Sequence, residues 1–154
     1  MATAARLETP MERLDTIIAL PDAALAASAE DVAVELLAIG ETALTSWLTA
    51  KGRTPTDARV EGFRLLALHR QGARGDPSFN ACRETCRELA YAYNCVTAAP
   101  AGADAPRRLR LGAMVARHLV LFIDGKLETA GLGEFCCSAR PLRAQDSAPA
   151  AGLP

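Results

Sequence analysis

The chain has 154 residues, of which 50% are apolar and 23% charged, and a formal net charge of −1. That length suits one core and is short for two. The composition excludes a disordered or fibrous chain, and the charge gives no global field toward nucleic acid or an anionic membrane.

The first twenty residues lack the basic-then-apolar order of a secretory signal. No uninterrupted apolar run approaches the ~20 residues of a membrane span. The expectation is a cytoplasmic protein without membrane contact. Five cysteines with no export signal read as free thiols, since an odd number cannot close on itself. Arginine supplies nearly all the basic charge, Lys51 and Lys126 being the only lysines, which suggests a GC-rich bacterial genome.

In chain order, a short helix from Met11, stopped at Pro21, follows a loose tail over residues 1–10. Ser28 with Asp31 opens a long helix in which Ala33, Leu37, Gly40, Leu44 and Trp47 recur at helical spacing. Lys51 and Gly52 close it. Thr54 as N-cap, Pro55 and Asp57 predict another helix, carrying Val60, Phe63 and Leu66 and ending near Gly72. Asp76-Pro77 repeats that signal for a cysteine-bearing helix, antiparallel to its predecessor. A small-residue connection over 97–106 has the length for a crossover. Beyond it, Leu111 to Ile123 is apolar on nearly every face, as in a central helix, with a break expected at Asp124-Gly125.

On the cysteine helix, Phe79, Cys82, Cys86, Leu89, Tyr93 and Val96 recur at three and four residues, a core stripe in which free cysteine acts as a small hydrophobe. The same spacing puts two thiols side by side. With Cys136, Cys137 and His118 they form a candidate zinc or Cu(I) set, or a thiol redox module. Cys95 lies half a turn from Cys86 and cannot join.

His69 reads as a helix C-terminal histidine complementing the macrodipole, and His118 as a core histidine. There is no Gly-x-Ser-x-Gly elbow, paired-carboxylate motif or phosphate loop. Arg107, Arg108 and Arg110 oppose the positive end of a helix dipole, which suggests docking to an acidic partner. No aromatics are interleaved with them, which disfavours nucleic acid.

The sequence therefore predicts an all-α, single-domain bundle of four or five helices over 1–142, up-and-down in its simplest form, with a disordered tail over 143–154. Trp47, Phe63, Phe79, Tyr93, Phe122 and Phe135 are the expected core aromatics. The expected function is that of a small helical interaction protein, regulatory, assembly or accessory, pairing with itself as a homodimer or with another protein. It needs no cofactor and is not expected to be an enzyme. The alternative is the cysteine-based metal or redox module.

Overall fold

The computed structural model describes residues 6–131; Phe135, Cys136, Cys137 and both domain limits of the sequence reading lie outside them. Among the described residues the fold is all-α, with six helices and no strands. They are α1 (Pro10–Ala19), α2 (Asp22–Ala27), α3 (Ala29–Ala50), α4 (Arg64–Ala73), α5 (Arg83–Ala98) and α6 (Ala105–Thr129), with a 3-10 turn, Pro77–Cys82, leading into α5.

Local chemistry sets most of these limits. Thr9 caps α1 by accepting from the Glu12 amide, with Pro10 at the first position, where its missing N–H costs nothing. Asp76 likewise accepts from the Ser78 amide at the start of the 3-10 turn. Gly52 and Gly131, at φ +73° and +71°, take the left-handed conformation just past the ends of α3 and α6, where glycine avoids the Cβ penalty.

Helix α6 is central, touching α1, α2, α3 and α5. It runs unbroken through Asp124-Gly125 to Thr129, against the expected break. One helical glycine costs only about 1 kcal/mol relative to alanine, and Ile123 is buried in the core while Phe122 and Leu127 pack against it. The sense of packing follows from neighbours: Leu36 lies against Gly112 and Leu119 against Gly40, so α3 and α6 run parallel. The up-and-down order is thus not kept. Nor does the 97–106 connection cross the bundle. It makes consecutive turns at Ala99, Gly102 and Ala105, and α5 packs directly beside α6.

The largest departure is at Thr54-Pro55. The expected helix starts ten residues later, at Arg64. Glu61 and Gly62 both have positive φ, 53° and 86°, a tight reversal incompatible with a helix. The loop before it is held by side chains of α4: Gln71 donates to the Thr54 carbonyl and accepts from the Thr56 amide, and Arg64 donates to the Thr56 carbonyl. These bonds satisfy the backbone groups that helix formation would have paired. Val60 and Phe63 still pack on the core, from the turn.

By length and mean hydropathy (1.2), α3 could cross a membrane. Here its Leu36, Leu44, Trp47 and Leu48 are buried in the core. The core centres on Phe79, whose ring lies 6.0 Å from Trp47, 6.0 Å from His69 and 5.5 Å from Phe122. The Lys126 ammonium caps these rings, 4.8 Å from Trp47 and 5.0 Å from Phe79, and is paired with Asp76 at 2.9 Å.

Two glycines of the helices have opposite surroundings. A Cβ on Gly72 would stand 2.8 Å from the Phe79 ring, and one on Gly125 would meet nothing within 4 Å. Gly72→Ala is expected to destabilise by about 1–3 kcal/mol through overpacking, and Gly125→Ala to stabilise by about 0.5–1 kcal/mol. Urea unfolding midpoints check both signs.

Candidate functional site

Two features stand out, a thiol cluster inside the bundle and an apolar stripe outside it. The cluster forms where the 3-10 turn meets α5. In a 3-10 turn, residues three apart are eclipsed, so Phe79 and Cys82 stack on one side. The Phe79 carbonyl accepts from the Cys82 thiol at 3.4 Å and from His69 Nε2 at 2.8 Å, which puts the proton of a neutral His69 on Nε2. Cys86, one helical turn on, and His69, from α4, both act on the Cys82 thiol. All three residues are buried.

The cluster polarises its members. Cys86, donating to the Cys82 sulfur, lowers that thiol most; burial raises it; His69 lowers it further, and the outcome is a Cys82 held down to about 6. The same contact, reinforced by burial, pushes Cys86 well above the ordinary thiol range. Burial is the largest influence on His69 and lowers its proton affinity, but the bonds to Cys82 and to Phe79 together outweigh it and leave it raised. The arrangement is a buried dithiol beside an imidazole, with Cys82 the more acidic of the two thiols.

Among the described residues no three His, Cys, Asp or Glu side chains converge on an ion-sized position. Of the other members of the expected metal set, Cys136 and Cys137 lie outside the described residues. His118 is exposed, contrary to its reading as a core histidine. Nearly every residue around it is apolar, so hydrophobicity alone could not tell which side of α6 faces in.

Sequence reading gave His69 a dipole role and missed its place in the cluster. The only signal was its spacing from Phe79 across the α4–α5 turn, which has no meaning until the chain reverses.

The stripe runs along α6. Leu111, Met114 and Leu121 are 44%, 52% and 48% exposed, and with exposed His118 they recur at three, four and three residues on one face. Tyr91 of α5, 54% exposed, lies beneath the Arg108 guanidinium at 5.3 Å. The other flagged arginines divide: Arg110 donates to the Leu20 carbonyl and pairs with Asp22, tying α6 to the α1–α2 junction. Arg107 is exposed, with Asp104 at 3.9 Å.

Compared with known protein families, curated proteins and solved structures, the chain has no match.

In the reduced protein, the ultraviolet thiolate absorbance lost on Cys82→Ser is expected to titrate near pH 6, below the ordinary thiol value of about 8.5. Cys86→Ala should move that midpoint up further than His69→Ala does. A Cys82 step that stays in the ordinary range would show that the cluster is only core.

Proposed function

We propose that this protein acts by association: it is a small helical interaction protein, regulatory, assembly or accessory, that pairs with a second copy through the outer face of α6. One observation carries the reading. Leu111, Met114 and Leu121 share one face of the central helix with His118, each of the three about half exposed, and such ordered exposure on a small bundle marks a contact surface.

Charge along α6 favours a second copy in antiparallel register. The helix begins with Arg107 and Arg108, while Asp124 near its other end has no hydrogen bond or ion pair among the described residues. Asp124 has its carboxyl pushed up, by burial first and then by neighbouring Glu128. Antiparallel pairing about the stripe brings the basic end of one copy toward the Asp124 end of the other. A two-fold axis repeats that contact. His118 would then lie opposite Met114 of the second copy.

A second reading, a cysteine-based thiol module, is favoured by the contact of His69 and Cys86 with Cys82. A hydroperoxide would oxidise the Cys82 thiolate to a sulfenic acid, releasing an alcohol or water. The Cys86 thiol would then displace water to close the disulfide.

Sedimentation of the reduced full chain over a concentration series is expected to show a monomer–dimer equilibrium, shifted to monomer by at least tenfold in Kd, about 1.4 kcal/mol, in Met114→Glu. A monomer at every concentration, or a dimer indifferent to both Met114→Glu and Leu121→Glu, would sink the α6 reading.

A further inference from the structure

A cleft of about 210 Å³ opens between α4, the turn at Glu61-Gly62 and the start of α5. Its lining includes Arg70, Arg83, Arg87 and His69 together with Val60 and Leu66. Glu61 pairs with Arg87 at 2.8 Å, and it does so from a positive-φ backbone, 53°, that non-glycine residues rarely adopt. The pair fixes one rim.

The remaining cations are not matched. The side chains of Arg70 and Arg83 make no hydrogen bond or ion pair among the described residues, although Arg70 is near enough to add to the pull on Glu61. Arg83 in turn disfavours the protonated form of His69, so positive charge is crowded there. Glu84, the nearby acid on α5, acts on Arg87, which Glu61 already holds. The start of α5 adds little to this field, because the 3-10 turn runs into it and the Arg83 amide already donates to Asn80.

Unpaired guanidinium groups around a concave surface suit planar, bidentate anions. The apolar pair in the lining, Val60 and Leu66, suits a ligand with a carbon body. We propose that this cleft binds a small organic anion, its carboxylate or phosphate head held by Arg70 and Arg83 and its carbon body lying on Val60 and Leu66. The site is separate from the α6 stripe, and stands whether or not the chain dimerises. His69 belongs both to this lining and to the surroundings of Cys82.

Calorimetric titration of the full chain with inorganic phosphate, butyl phosphate and butyrate tests the site. One saturable event is expected, tighter for at least one of the two alkyl anions than for inorganic phosphate. Whichever alkyl anion binds tighter identifies the head group. Arg70→Ala and Arg83→Ala should each raise Kd by about tenfold with unchanged melting temperature, while Arg74→Ala, exposed and outside the cleft, should not. Absence of saturable binding, no gain from the alkyl chain, or an equal loss in Arg74→Ala would overturn the proposal.

Discussion

Phe79 is the residue on which the arrangement turns. Its ring fills the space between Trp47 of α3, His69 of α4 and Phe122 of α6, while its carbonyl takes hydrogen bonds from two of the three members of the thiol cluster. One residue thus joins the packing of three helices to the polar chemistry inside them. Gly72 has no side chain where the ring passes, and that absence lets α4 approach closely enough for His69 to reach the carbonyl. Edge-on and tilted ring contacts of this kind add roughly 0.5–1.5 kcal/mol each beyond the area they bury.

The placement of the 3-10 turn has a similar double effect. Had α5 begun as a regular helix at Pro77, residues 79 and 82 would be offset by about 60° around its axis; in the tighter turn they eclipse. The thiol of Cys82 then falls onto the Phe79 carbonyl, and the sulfur lies where Cys86 and His69 both reach it. The chemistry of the cluster is therefore a consequence of how the chain turns the corner after α4.

The periodic parts of this organisation were legible in the residues. The stripe Phe79, Cys82, Cys86, Leu89 and Val96 is buried as its spacing requires, with Tyr93 partly so, and Gly52 ends α3 where the pattern stops. What could not be read depended on contacts between distant segments. The cap at Thr54-Pro55 is a sound local signal, yet Gln71 and Arg64 supply the loop with partners that no window around Thr54 contains. Local pattern also missed α2, whose six residues are too few to show a period. On α6 the difficulty was excess: with apolar residues on every side, the sequence could not show that His118 faces outward or which leucines stay in solvent. The cleft was invisible because its arginines come from α4 and α5, which meet only after the chain reverses.

The two lysines of the sequence meet at one indole: Lys51 lies 5.5 Å and Lys126 4.8 Å from the Trp47 ring. Reagents and enzymes that seek lysine amines therefore encounter both at a single end of the bundle, and the rest of the described surface has no lysine to offer them. They do not encounter them equally. Lys51 is exposed, whereas the Lys126 side chain is 18% exposed and held by Asp76. Acylation would thus favour Lys51, making that one position a natural point at which to attach the protein to a surface or a label, at the opposite end of α3 from Ser28.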